Sequence, residues 1–174
     1  LKNLNFVCRR GETTAIIGGT GSGKSTVASL VMRFNEVTDG EILLTGVDIR
    51  EMPQKQLRDH LGFVQQRAWL FSGTIAENLR YGNPDATDEE LWQAIKVAQA
   101  YDFVNSLPDK LDSFVAQGGT NFSGGQKQRL SIARALVKRP EIYIFDDSFS
   151  ALDFKTDAAL RKALQSETEN AAVV

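Results

Sequence analysis

Gly18-Gly19-Thr20-Gly21-Ser22-Gly23-Lys24-Ser25 decides the fold, because it fits G-x-x-x-x-G-K-[ST] and lies between two segments of different periodicity. Upstream, Thr13-Thr14-Ala15-Ile16-Ile17 is a short β-rich apolar run. Downstream, Val27, Leu30, Val31 and Phe34 recur at i, i+3, i+4 and i+7, the stripe of a helix that fails near Thr38-Asp39-Gly40. A strand therefore feeds a helix through glycines. Glycines let the backbone turn its N–H groups inward, the helix start adds positive potential and Lys24 adds a full charge. The stretch is suited to cradling a nucleotide's phosphates, with the Ser25 hydroxyl placed to hold Mg²⁺.

Working outward, Leu4, Phe6 and Cys8 alternate with Asn5, Val7 and Arg9 before the turn Arg10-Gly11-Glu12, which predicts a strand paired with residues 13–17. Residues 42–44 and 61–64 read as further short strands, with Pro53 opening a short polar helix between them. The middle third changes character. Thr87-Asp88-Glu89-Glu90 has the form of a capping box, and Leu91, Ala94, Ile95 and Ala98 continue one helical face. After Gly124-Gly125, Leu130, Ala133, Leu136 and Val137 mark another helix, stopped at Arg139-Pro140. Ile142-Tyr143-Ile144-Phe145 is a continuous apolar run, the pattern of a strand buried on both faces. A last helix over about 155–166 precedes an apolar tail. No internal repeat or low-complexity linker interrupts this order. The pattern predicts an α/β chain: a P-loop NTPase core with a mainly parallel sheet, residues 1–66 and 134–174, plus an inserted helical subdomain, residues 67–133.

The composition agrees with one compact domain. The 174 residues carry 20 Lys+Arg against 22 Asp+Glu, a net charge of −2, with 42% hydrophobic and 24% charged residues. Such values exclude disordered, collagenous and coiled-coil classes and give no electrostatic footprint for nucleic acid. No apolar run approaches the ~20 residues that a spanning helix needs. The lone cysteine, Cys8, has no intramolecular disulfide partner and reads as a small strand residue suited to a reducing compartment. The start at Leu1 and the apolar finish Ala171-Ala172-Val173-Val174 both read as cuts inside a longer polypeptide.

A phosphate loop needs a carboxylate to organise the magnesium shell, and Asp146, at the end of the apolar strand, supplies it. Asp147 stands where a group reaching the attacking water is expected. Between loop and strand runs Asn121-Phe122-Ser123-Gly124-Gly125-Gln126-Lys127-Gln128-Arg129. Here the sequence resembles the nucleotide-binding domains of ABC transporters, whose signature motif is matched by Ser123, Gly124, Gly125 and Gln126. Taken alone, S-G-G-Q is equally a helix-capping turn. With the phosphate loop before it and Asp146 after it, the match is specific.

The resemblance covers nearly the whole chain. It implies that Gly18, Gly19, Thr20, Gly21, Ser22, Gly23, Lys24, Ser25 and Thr26 bind ATP, and that Ser25, Gln66 and Asp146 share Mg²⁺. Gln66, in His60-Leu61-Gly62-Phe63-Val64-Gln65-Gln66, falls on the Q-loop glutamine that also meets the attacking water, although Gln65 stands where proline is usual. Lys24, Gln66 and Asp147 become the catalytic set. Ser150, Ala151, Leu152 and Asp153 resemble the D-loop that lines a dimer interface. A head-to-tail partner, a second nucleotide-binding domain, is implied, in which residues 123–126 grip the γ-phosphate held by the other subunit. Residues 71–79 and the stretch from Asp112 into the signature look exporter-like, implying a transmembrane domain reached through the Q-loop and helical subdomain, at the cytoplasmic face of a membrane.

Three departures shape the functional expectation. The family's catalytic glutamate is Asp147 here, one methylene or about 1.5 Å shorter, and a misplacement of ~1 Å costs up to ~10²-fold in rate. This chain's own site is thus expected to be slow, as in heterodimeric multidrug or lipid exporters, with a different subunit as partner. The acidic X-loop residue is replaced in Ala116-Gln117-Gly118-Gly119. The family's adenine-stacking aromatic and switch histidine fall outside residues 1–174, and His60, the only histidine, reads as a solvated surface residue. Two functions follow: an ATP-hydrolysing engine domain, or a regulatory module that clamps ATP with little hydrolysis. A P-loop kinase has no use for residues 123–126, and a DNA-repair ATPase would carry heptads that are absent between Gln66 and Ser123. Trp69, Tyr81 and Trp92 are either a docking surface for membrane-domain helices or packing of the helical subdomain.

Overall fold

The computed structural model describes residues 1–174. Helix α1 (Lys24–Val31) leaves the glycine loop, followed by the two-residue strands β1 (Leu43–Leu44) and β2 (Val47–Asp48), helix α2 (Gln54–Asp59) and strand β3 (Leu61–Val64). Next come β4 (Gly73–Thr74), α3 (Ile75–Arg80), α4 (Asp88–Val97), α5 (Tyr101–Ser106) and β5 (Phe114–Val115). Helix α6 (Gly124–Lys138), strand β6 (Ile142–Phe145), helix α7 (Phe154–Glu167) and strand β7 (Ala172–Val173) complete the chain. Pro53 opens α2, and the Thr87 and Glu90 side chains close a reciprocal capping box on α4. Arg139 ends α6 in the left-handed conformation, φ 51°, immediately before Pro140.

The central sheet is parallel, in the order β3-β6-β7, with Leu61 opposite Ile142 and Val64 opposite Phe145. Both faces of β6 are covered. Tyr143 and Ile144 are each 3% exposed, yet they belong to different apolar clusters, because successive strand residues point to opposite faces. On one face, Val64 and Tyr143 pack with the apolar residues of α3, α4, α6 and α7; on the other, Ile144 and Leu61 pack with Ala28, Met32 and Leu57. This is the α/β arrangement that the continuous apolar run of β6 demands.

Two local expectations are corrected. Residues 2–9 and 13–17 form no strand pair: only Thr13 makes an isolated parallel bridge, to Val173, carried by Thr14 N–H to Val173 O at 2.8 Å and Val173 N–H to Glu12 O at 3.0 Å. Leu4, Phe6 and Val7 are exposed and Ile17 is 94% exposed, so alternation has no layer to bury against, and an unsupported two-stranded ladder is marginal. Cys8, half-buried, therefore lies outside any strand. Helix α1 also stops at Val31, well before Thr38; Phe34 is 50% exposed, sits 6.0 Å from the Phe63 ring, and the buried stripe is instead Val27, Ala28 and Met32.

Candidate functional site

The glycine loop leaves a helix start without a cap. Gly23 precedes α1 at φ 96° and supplies no side-chain acceptor, and Gly21 lies at φ 78°, both in the region that glycine alone visits freely. The first helical bond is Val27 N–H to Gly23 O at 3.1 Å, so the N–H groups of Lys24, Ser25 and Thr26 are left as the orphan donors of a first turn. Space beside the loop is open as well: a Cβ on Gly19 or Gly21 would meet nothing within 4 Å, whereas one on Gly18 would stand 2.5 Å from Ser22 Oγ. Lys24 Nζ folds back to donate to Gly18 O at 2.7 Å and Gly19 O at 2.9 Å, which fixes its charge over the loop.

Parallel pairing of β3 and β6 brings the rest of the site to the ends of those strands. Asp146 N–H donates to Val64 O at 3.0 Å, and its Oδ1 accepts from Ser25 Oγ at 3.0 Å across 121 residues of chain. Asp147 turns the other way, at φ 45°, and its Oδ2 accepts from Gln66 Nε2 at 2.9 Å. Ser150 Oγ donates to Asp147 O at 3.0 Å, and the buried Ser148 hydroxyl donates to Val64 O at 2.7 Å, so the turn after β6 is held from both sides. Two adjacent carboxylates thus serve different partners. An exposed hydroxyl and a half-buried carboxylate at this separation suit Mg²⁺, which takes one or two protein oxygens and completes its shell with phosphate and water. Gln66 spends its amide nitrogen on Asp147, leaving its carbonyl oxygen for a cation.

The Ser123 turn is built differently. Ser123 caps α6 through Gln126 N–H to Ser123 Oγ at 3.2 Å, and Gln126 Oε1 returns to Ser123 N–H at 3.0 Å. The capping turn, the plainer meaning of these residues, is therefore present whatever else they do. Gly124 faces open space, while a Cβ on Gly125 would come within 3.2 Å of Ala151 O, so the start of α6 lies against residues 150–153. Asp153 caps α7, accepting from Thr156 Oγ1 at 2.7 Å and Thr156 N–H at 2.9 Å; the Thr156 hydroxyl, then the backbone N–H, hold its carboxyl below the usual range. No hydrogen bond joins residues 123–126 to the glycine loop.

Other sequence candidates fall outside this cluster. Gln117 lies in a short 3-10 turn whose Gly118 N–H donates to Leu70 O at 2.8 Å. Trp69 and Tyr81 are exposed, and Trp92 is half-buried with its ring 5.5 Å from Tyr101, so the three make no common face by packing with each other. His60 Nδ1 is 3.3 Å from Glu141 Oε1, a half-buried pairing rather than a freely solvated ring. One polar residue escaped the sequence reading: Gln128 is 1% exposed and donates from Nε2 to Gln65 O at 3.0 Å. Its signal was its place on the α6 stripe, four residues before the buried Ile132 and eight before Leu136.

Comparison with known proteins converges on one family. The family model described as ABC transporter matches residues 1–150. An uncharacterized ABC transporter ATP-binding protein of Mycobacterium bovis is 51% identical over 100% of this chain and 30% of its own length. Its counterpart from Bacillus subtilis is 47% identical over 97% of this chain and 29% of its own length. Among solved structures, a bacterial Atm1-family ABC exporter with ATP bound superposes with a TM-score of 0.90 at 40% identity, covering 94% of this chain and 29% of that one. The chain thus spans under a third of the length of these relatives.

Proposed function

The chain belongs to the ABC transporter family, and on that premise we propose that it is the ATP-binding and ATP-hydrolysing engine domain of an exporter. The single observation that carries the proposal is the Ser25–Asp146 contact beside the uncapped start of α1, with Lys24 fixed over the loop. In this reading residues 18–26 wrap the ATP phosphates with backbone N–H groups, and Lys24 adds the charge. Ser25, Asp146 and Gln66 would hold Mg²⁺, which when bound neutralises phosphate charge. Asp147, steadied by Gln66, accepts a proton from the attacking water. Residues 1–66 and 134–174 act as the nucleotide-binding core, and residues 67–133 as the helical subdomain facing the membrane domain.

The partners follow from the same reading. Residues 123–126 serve ATP held by a second nucleotide-binding domain, a different subunit, with residues 150–153 at the interface between them. A transmembrane domain docks through the Q-loop and helical subdomain at the cytoplasmic face of a membrane, and ATP-driven closure of the two engines moves it. A second reading has specific support in the short Asp147 side chain hydrogen-bonded to Gln66: a regulatory module that clamps ATP and rarely cleaves it. Single-turnover cleavage at this chain's own loop separates the two.

The test of the shared premise is Mg²⁺-dependent ATP binding, titrated beside Lys24→Ala. Loss of a charge-assisted contact worth about 1.5–3 kcal/mol weakens binding roughly 10–100-fold. Equal affinity in the two proteins overturns the proposal.

A further inference from the structure

Gln128 lies on the second turn of α6, the helix that Ser123 opens, and is among the most deeply buried polar residues of the protein at 1% exposure. A buried amide is retained against its desolvation cost only where it is hydrogen-bonded. Its Nε2 donates at 3.0 Å to the carbonyl oxygen of Gln65, which no other donor reaches. That oxygen belongs to the peptide plane joining Gln65 to Gln66, and a peptide unit is rigid, so fixing its carbonyl fixes the backbone from which the Gln66 side chain departs. Gln66 in turn donates to Asp147 Oδ2 at 2.9 Å. A continuous path therefore runs from α6 through Gln128 and the Gln65–Gln66 peptide to the carboxylate proposed as base.

We propose that Gln128 is a positioning residue for hydrolysis: it registers α6, and with it the Ser123 turn, against the Gln66–Asp147 pair. The inference rests on reading Gln66 and Asp147 as the hydrolysis site. Any displacement of α6 along its axis shifts the Gln65–Gln66 plane and so changes where Asp147 points, while the phosphate loop, which Gln128 does not touch, keeps its hold on ATP. The start of α6 and the Asp147 carboxylate are coupled by geometry alone.

The experiment is single-turnover ATP cleavage and ATP affinity in the intact protein with its second nucleotide-binding domain. It uses Gln128→Met, which keeps length and removes the donor, alone and combined with Gln66→Ala. Cleavage is expected to fall about tenfold in Gln128→Met, as for a base displaced by a fraction of the ~1 Å that costs ~10²-fold, with ATP affinity within about threefold of the parent. In the Gln66→Ala background Gln128→Met is expected to have no further effect, the non-additivity of residues acting through one another. Additive effects of the two substitutions, or an unchanged rate in Gln128→Met, overturn the inference. Parent cleavage that is insensitive to Lys24→Ala overturns instead the reading on which it rests.

Discussion

Helices α1 and α6 both begin at a Ser-Gly or Gly-Lys turn rich in glycine, and they begin in opposite ways. At α1 the cap is Gly23, with no side-chain acceptor, so the first-turn N–H groups remain unspent beside open space. At α6 the Ser123 and Gln126 side chains satisfy each other's backbone N–H groups, leaving only Gly124 and Gly125 uncovered. A glycine-capped helix start forgoes only about 0.3 kcal/mol that a serine or aspartate cap would contribute. What it retains are free N–H donors with the positive end of the helix dipole behind them, the arrangement that suits an anion. The α6 start is a self-sufficient piece of structure that can also present a hydroxyl and two glycine N–H groups. The difference teaches that equally glycine-rich turns can leave a helix start open in one case and close it with the helix's own side chains in the other.

The largest effect expected to sharpen this contrast lies on the α1 side. Asp147→Glu, measured as single-turnover cleavage with its partner domain present, should raise the rate at this chain's loop by up to ~10²-fold. An unchanged rate would remove Asp147 as the limit on that site. Next, Gly21→Ala forces a side chain into φ 78° and should cost about 1–2 kcal/mol in urea unfolding. Gly124→Ala, in open space within a helix, should cost nothing and can add up to ~1 kcal/mol. Equal losses would break the comparison. The smallest effects separate two serines: Ser123→Ala should lose about 1 kcal/mol with its cap, whereas Ser22→Ala, at a start with no side-chain cap, should stay within about 0.5 kcal/mol of the parent in the same unfolding measurement.

Much of this was legible beforehand because it is written locally. The glycine loop, the Thr87–Glu90 capping box, the α6 stripe and its stop at Arg139-Pro140 each depend on residues within a few positions of one another. The strand pair expected before the loop shows the limit of such reading. Alternation in residues 4–8 is a statement about faces, and a face has meaning only when another layer covers it. The Phe34 misreading has the same origin: of the expected stripe only Val27 is buried, the buried face runs on through Ala28 and Met32, and the chain turns at Arg33, φ 53°, so that Phe34 leaves the helix.

By itself the sequence determined where the helix after the glycine loop starts, which strand is buried on both faces, and which carboxylates end it, since local hydrogen bonding and side-chain periodicity set all three. Only the tertiary structure decided that Asp146 meets Ser25 while Asp147 meets Gln66, and that Gln128 is buried against the Gln65 carbonyl. Those pairings are fixed by the parallel register of β3 and β6 and by the packing of α6 on them, contacts between segments whose separation along the chain hides them from any local pattern.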